Sequence, residues 1–119
     1  MKITQAFSFE AAHQLPNVPS THRCRRMHGH SYRVEAKLQG SVDPVTGFVI
    51  DFFDIETKFA PLITQLDHCC LNEIEGLENP TAENIAIWIW ELSNLVFRSF
   101  LLSGFMKRTS DSWVEYDGC

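Results

Sequence analysis

Residues 28–40 alternate between apolar and polar side chains with a clean period of two, and this pattern constrains the fold most strongly. Because successive side chains of a strand point to opposite faces, the segment predicts a β-strand with one buried face. The apolar positions are Tyr32, Val34, Ala36 and Leu38. His28 and His30 share their parity, so both imidazoles are expected at the head of the buried face, where together they can chelate a metal ion.

A third histidine, His13, ends another extended run and is also a candidate metal ligand. Residues 2–12 alternate well enough to predict a first strand. Three neutral imidazoles with one open position are the donor set of a catalytic zinc site, although a single histidine is more often a surface or core residue. The spacing of Cys24 before His28 leaves open a fourth ligand, which would make the site structural, or a separate nucleophile.

The next segment predicts a strand followed by a helix. Residues 43–47 are typical of a hairpin connection, and residues 48–52 predict the beginning of a third strand. Residues 54–66 have the apolar spacing of an amphipathic helix. Pro61 lies inside this helix and is expected to kink or restart it.

The second half of the chain predicts one more helix and one more strand. Thr81 is a good N-cap for a helix that runs from residue 82 to residue 96 or 97. A last strand is expected after residue 100, ending near Tyr116. Since strands come first and helices later, the order predicts a single α+β domain over residues 1–119, with two helices on one face of an antiparallel sheet.

Composition narrows the class of protein. The formal net charge of −5 over 119 residues gives no reason to expect nucleic acid or an anionic membrane as a partner. The chain has no apolar run near the roughly 20 residues of a spanning helix, and its start lacks a signal-peptide pattern. The four cysteines, with Cys69 and Cys70 adjacent, do not suggest a disulfide framework. We therefore expect reduced thiols and a cytoplasmic location.

Two further groups have both a functional and an ordinary interpretation. Asp67 and His68 follow the first predicted helix and could form an acid–base pair, but spacing alone favours a helix-terminal histidine beside an exposed aspartate. The loop before His28 ends in basic residues, which are either simply solvated or lower the pKa of Cys24 and attract an anionic substrate. These basic residues are Arg23, Arg25 and Arg26.

Together these motifs resemble the 6-pyruvoyl-tetrahydropterin synthase family, and more closely its bacterial 6-carboxy-5,6,7,8-tetrahydropterin synthase branch. The three-residue gap between Cys24 and His28 is typical of the bacterial branch. The resemblance covers nearly the whole chain in the same order. The matching segments are residues 9–16, 24–30, 51–52, 66–72 and 79–83.

The resemblance implies a fold and a set of site residues. The fold is the tunnelling fold, in which a four-stranded antiparallel sheet with two helices on one face assembles into a trimeric barrel and then a hexamer. His13, His28 and His30 would bind zinc. Cys24 would be the general base, and the Asp67–His68 pair would relay protons, usually in the site of a neighbouring subunit.

The resemblance also implies a reaction. Dihydroneopterin triphosphate would lose triphosphate and acetaldehyde to give carboxy-tetrahydropterin, a step in queuosine (7-deazapurine) biosynthesis. Arg23, Arg25 and Arg26 could hold the triphosphate. Related outcomes are pyruvoyl-type synthase activity, cleavage of the pterin side chain, or a non-catalytic homologue that binds pterins or purines.

The sequence departs from the family at the pterin anchor in the last strand. The family has a glutamate followed by threonine, whereas this chain has Arg108 followed by Thr109. A guanidinium only donates hydrogen bonds, so Arg108 cannot accept those of the pterin ring. Either the register shifts so that Asp111 or Glu115 takes the role, or the ring is bound differently or a different substrate is used, or the chemistry has been lost and the fold is kept.

Overall fold

The computed structural model describes residues 1–97, 101–107 and 111–118, and its architecture is α+β. Two long strands, β1 (Lys2–His13) and β2 (His28–Gln39), form the centre of the sheet. They pair antiparallel along their whole length, from Lys2 opposite Gln39 to His13 opposite His28. Both strands predicted from the alternation are confirmed, each to within one residue at its end.

Three shorter strands complete the sheet in the order β3-β1-β2-β4-β5. They are β3 (Cys69–Cys70), β4 (Leu101–Lys107) and β5 (Trp113–Tyr116). β3 runs parallel to β1, whereas the other pairs are antiparallel. The expected four-stranded, wholly antiparallel sheet is therefore wrong in strand number and in the direction of β3. A two-residue strand is held by backbone pairing alone and leaves no alternation in the sequence.

Helix α1 (Phe52–Leu66) begins where the third strand was expected, so the strand predicted at residues 48–52 is wrong. The physical reason is Asp51, whose carboxylate accepts a hydrogen bond of 2.9 Å from the backbone N–H of Phe53 and caps the helix. The helix continues through Pro61. Proline has no N–H to donate to the carbonyl of Thr57, one turn earlier in the helix. Pro61 and Thr57 are both exposed, so water can bond this carbonyl instead.

Helix α2 (Ala82–Val96) confirms the second predicted helix and its cap, because Thr81 Oγ1 accepts a hydrogen bond from the N–H of Asn84. Both helices contribute to one core cluster on one face of the sheet. Phe7 of β1 stacks on Phe59 of α1, with ring centroids 4.6 Å apart. Within the described part of the chain, neither helix is both long and apolar enough to cross a bilayer.

The last part of the chain differs from expectation in its connectivity. The single strand predicted to end near Tyr116 is instead the antiparallel pair β4 and β5. Arg108 and Thr109, which occupy the family's anchor position, lie outside the described residues. Cys119 lies outside them as well.

Candidate active site

The pairing of β1 with β2 brings the three candidate histidines together. His13 is directly opposite His28, and His30 is opposite Ala11, on the face that also buries Phe9. The three imidazoles offer ligand atoms that all lie within 4.8 Å of one another. His13 is buried, and the other two are partly exposed, so the group lies at the end of the core where a ligand can reach it.

Backbone carbonyls orient two of these rings. Nδ1 of His13 lies 2.8 Å from the carbonyl of Pro80, and Nδ1 of His28 lies 2.6 Å from the carbonyl of Arg26. Because a carbonyl only accepts hydrogen bonds, both rings carry their proton on Nδ1. In each ring the lone pair is therefore on Nε2, as in histidines that ligate metals.

The separation of these two Nε2 atoms tests whether a metal ion fits. They are 3.1 Å apart, and two lone pairs at that distance repel each other unless a cation lies between them or one ring becomes an imidazolium. Zinc–nitrogen bonds of about 2.0–2.1 Å in tetrahedral geometry separate two ligand nitrogens by about 3.3 Å. The three imidazoles as a donor set, and the spacing of the His13–His28 pair, therefore fit a zinc ion.

Cys24 is buried and is not among the side chains whose ligand atoms group together. It lies in a short 3-10 turn, Arg23–Arg25. Its backbone N–H donates to Nδ1 of His22 at 3.0 Å, and its carbonyl accepts from the N–H of Leu15 at 2.8 Å. These bonds fix the turn beside the end of β1. The three histidines thus form a group by themselves, and the role of Cys24 stays a prediction.

Asp67 and His68 form a pair at the edge of the sheet. Oδ1 of Asp67 lies 3.0 Å from Nδ1 of His68 and accepts a hydrogen bond of 2.9 Å from the N–H of Glu10. The Glu10 N–H, and after it the His68 side chain, hold the pKa of Asp67 below the ordinary value for aspartate. The carboxylate is ionised at neutral pH and can orient the imidazole through this contact. An exposed aspartate without the contact would not orient it.

The backbone of His68 is held in an unusual conformation. Its φ angle is +57°, in the left-handed region that costs a non-glycine residue free energy. The N–H of His68 donates to the carbonyl of Glu10, so both backbone groups of Glu10 bond this segment. The side chain is 79% exposed. The strand edge thus holds a strained turn that presents an imidazole to its surroundings.

His68 lines an open cavity of about 520 Å³ at the edge of the sheet. His30 of the metal-ligand group also lines this cavity, together with Cys69, Cys70 and the outward-facing Glu10 and Ser31. Ser31 Oγ donates to the Glu10 carboxylate at 2.7 Å on this outer side. The parity of Glu10 and Ser31 is opposite to that of the three histidines, so these two side chains lie on the outer face of the sheet.

Sequence reasoning missed the groups that hold the histidines in place. The Pro80 and Arg26 carbonyls are backbone atoms, which leave no trace in residue type. Asn72 accepts from the N–H of Gln14 at 2.9 Å and donates to its carbonyl at 2.8 Å, and so fixes the chain directly after His13. The only signal for Asn72 was its place in the matched segment 66–72.

The chain is similar to known proteins over nearly its whole length. The family model described as 6-pyruvoyl tetrahydropterin synthase matches residues 2–119. The chain is 45% identical over 93 residues to the 6-carboxy-5,6,7,8-tetrahydropterin synthase of Synechocystis sp., covering 74% of this chain and 70% of the relative. It is 34% identical over 90 residues to the dihydroneopterin monophosphate aldolase of Pyrococcus furiosus, covering 76% and 72%.

A solved structure agrees with these matches. The 6-pyruvoyl tetrahydropterin synthase of Caenorhabditis elegans has a TM-score of 0.92 and 27% identity, covering 100% of this chain and 96% of that one. The sequence and structure matches together confirm the resemblance drawn from the motifs.

Proposed function

The chain belongs to the 6-pyruvoyl tetrahydropterin synthase family and is a lyase of that type, and from this premise we propose that it is a zinc-dependent 6-carboxy-5,6,7,8-tetrahydropterin synthase. It would convert dihydroneopterin triphosphate to carboxy-tetrahydropterin, releasing acetaldehyde and triphosphate, for queuosine biosynthesis. The observation that carries the proposal is the group of three imidazoles with nitrogens within 4.8 Å, in a chain 45% identical to such a synthase.

In this proposal His13, His28 and His30 hold the zinc ion. When bound, zinc acts as a Lewis acid toward the oxygens of the substrate side chain and makes the neighbouring C–H bonds more acidic. The protein contributes the orientation of the rings, because the Pro80 and Arg26 carbonyls hold two of them with Nε2 toward the group.

Cys24 would take the proton from the substrate side chain as a thiolate. Its turn is held from both sides by backbone hydrogen bonds, so the sulfur has a defined position beside the end of β1. The Asp67–His68 pair would return protons on the other side of the substrate. The ionised Asp67 keeps the His68 imidazole oriented for this role.

The exposed position of His68 supports a site completed by a second copy of the chain. Its side chain is 79% exposed at the edge of the sheet, where a neighbouring subunit can reach it. A neighbouring subunit whose outer face meets the mouth of the metal group would bring its His68 to the substrate. We propose the family's assembly, a hexamer built as a dimer of trimers around an oligomeric barrel, with residues 1–119 as one domain.

A cytoplasmic location completes the proposal. Cys69 and Cys70 are free thiols, which suits a reducing compartment.

Product analysis tests the proposed reaction. The zinc-loaded protein is incubated with dihydroneopterin triphosphate, and the products are identified by mass spectrometry. We expect carboxy-tetrahydropterin together with acetaldehyde. Matched reactions with Cys24→Ala and His28→Ala are expected to leave the substrate intact, which ties the products to this site. Intact substrate with the zinc-loaded wild-type protein would contradict the proposal.

Side-chain cleavage in the manner of an aldolase is a second candidate. The similarity to the Pyrococcus furiosus dihydroneopterin monophosphate aldolase favours it, because that relative has 34% identity over 76% of this chain. The same product analysis separates the two: an aldolase releases a two-carbon hydroxyaldehyde from the side chain and leaves a hydroxymethyl pterin.

Arg108 needs its own test, since we propose that it and Thr109 lie at the pterin anchor. If the wild-type protein leaves its substrate intact, Arg108→Glu restores the family's acceptor. Recovery of product by this variant would identify Arg108 as the cause. Failure of the variant would instead favour a non-catalytic homologue that binds pterins or purines.

A further inference from the structure

A histidine caps the short turn that carries Cys24. The backbone of His22 is extended, with φ −72° and ψ 133°, and the 3-10 turn Arg23–Arg25 follows it directly. Nδ1 of His22 accepts a hydrogen bond of 3.0 Å from the N–H of Cys24, and its carbonyl accepts one of 3.0 Å from the N–H of Arg25. His22 therefore makes the two hydrogen bonds of an N-cap residue, one through its side chain and one through its backbone.

Histidine is an unusual residue at an N-cap, where asparagine, aspartate, serine and threonine are preferred. An imidazole nitrogen accepts a hydrogen bond only through its lone pair, so Nδ1 of His22 carries no proton while it bonds the Cys24 N–H. His22 itself is exposed, whereas Cys24 is buried. An exposed side chain thus reaches back to the backbone of a residue with a buried thiol.

Both backbone polar groups of Cys24 are held. Its N–H is bonded by His22, and its carbonyl accepts a hydrogen bond of 2.8 Å from the N–H of Leu15, which follows the end of β1. The bond that closes the turn at its far end, from the N–H of Arg26 to the carbonyl of Arg23, is long at 3.4 Å. Because the turn has only three residues, we expect the cap to contribute much of its order.

We propose that His22 is a positioning residue, which holds Cys24 where its sulfur can take a proton from the substrate. This inference rests on the proposed function, in which Cys24 is the general base. A general base must lie within hydrogen-bond reach of the proton that it removes, so a small displacement of the turn lowers the rate. His22 acts through the backbone N–H of Cys24, and its imidazole takes no proton from the substrate.

Two substitutions separate this role from direct activation of the thiol by the imidazole, as in a cysteine–histidine pair. His22→Asn keeps a side-chain acceptor of the kind preferred at N-caps but has no basic nitrogen. His22→Ala removes the acceptor as well. The matched control is Thr21→Ala, because Thr21 is the exposed neighbour of His22 in the same loop.

Alkylation of Cys24 by iodoacetamide measures how firmly the turn is held. Because this residue is only 7% exposed, the reagent reaches the thiol when the turn opens. Peptide mass mapping follows Cys24 separately from the other cysteines. His22→Ala is expected to react roughly fivefold faster than the wild type, as for the loss of one cap. His22→Asn and Thr21→Ala are expected to react at the wild-type rate.

Turnover of dihydroneopterin triphosphate by the zinc-loaded protein is the second readout. His22→Ala is expected to lower kcat about tenfold and to leave KM nearly unchanged, because Cys24 moves a proton and His22 does not bind the substrate. His22→Asn is expected to recover most of the wild-type kcat. The zinc affinity of both variants, measured by competition with a chelator, should stay as in the wild type, since the pairing of β1 with β2 holds His28 opposite His13.

The outcomes distinguish this inference from the proposed function. If both variants of His22 are alkylated more slowly than the wild type and both lose turnover, the imidazole activates the thiol directly and the positioning role is wrong. If His22→Ala matches Thr21→Ala in alkylation and in kcat, His22 does not hold Cys24. A lower zinc affinity of His22→Ala would show a wider disturbance of the site and would also overturn the assignment. If the zinc-loaded wild type forms no product, the proposed function fails, and the role of His22 in proton transfer fails with it even where alkylation shows that the cap holds the turn.

Discussion

Two of the candidate ligands differ strongly in burial, and this difference separates metal binding from packing. His13 is 1% exposed and donates to the Pro80 carbonyl, whereas His28 is partly exposed and donates to the Arg26 carbonyl. Replacing either one with alanine removes a ligand from the group. Only His13→Ala also opens a cavity in the core.

The free energies of unfolding follow from these contacts. In a metal-free protein, His13→Ala leaves a cavity and a buried carbonyl without its donor, and is expected to cost about 3 kcal/mol. His28→Ala loses one partly exposed hydrogen bond and is expected to cost about 0.5–1 kcal/mol. With zinc present, the wild type gains about 2.7 kcal/mol when free zinc is at a hundred times its dissociation constant, and each variant gains far less.

Urea denaturation at one fixed protomer concentration measures all of these values, first with a chelator and then with zinc. With chelator, the free energy of unfolding is expected to be highest for the wild type, lower for His28→Ala and lowest for His13→Ala. If His28→Ala retains the full stabilisation by zinc, the His28 ring is not a ligand. If both variants lose the same free energy of unfolding with chelator, burial does not set the cost of the substitution.

Three other substitutions test separate parts of the description. Asp67→Asn removes a carboxylate whose pKa is lowered by the Glu10 N–H and His68. The wild type should be more stable than this variant above the ordinary aspartate pKa of 3.8. This advantage should disappear as the pH falls through the lower pKa that Asp67 has in the folded protein. A pH-independent difference in urea midpoint would contradict this. Asn72→Ala removes both hydrogen bonds to the Gln14 backbone and is expected to weaken zinc binding about tenfold. Asn72→Asp keeps the acceptor and should have an intermediate zinc affinity. If competition with a chelator shows an unchanged zinc affinity for Asn72→Ala, Asn72 does not position His13 for the metal. Pro61→Ala restores a helical N–H in the exposed interior of α1 and should raise stability by about 1 kcal/mol; a loss of stability in urea would show that the proline is needed there.

The central strands and the second helix could be predicted because their signals are local. Alternation along residues 28–40 fixes which side chains are buried, and Thr81 marks the start of α2 by its own side-chain chemistry. The grouping of His13 with His28 and His30 also followed, since their positions at the ends of two adjacent strands place them on the same face.

The remaining features depend on competition or on backbone atoms. Residues 48–52 have strand-like composition, but the Asp51 side chain caps a helix that begins at Phe52. The cap therefore outweighs the strand propensity of these residues. The two-residue β3 pairs with Ala11 and Ala12 of β1 through the backbone, and so short a pairing leaves no alternation in the sequence. The Pro80 and Arg26 carbonyls are invisible in sequence for the same reason.

The register between β1 and β2 determines both halves of the proposed site. One parity of this strand pair gives the three histidines, and the other gives Glu10 and Ser31 on the outer face, next to the segment that carries His68. Because a shift of one strand by one residue moves its side chains to the opposite face, such a shift would separate the imidazoles from one another and Glu10 from Ser31. The long pairing of β1 with β2 is therefore a condition for the chemistry as well as for the fold.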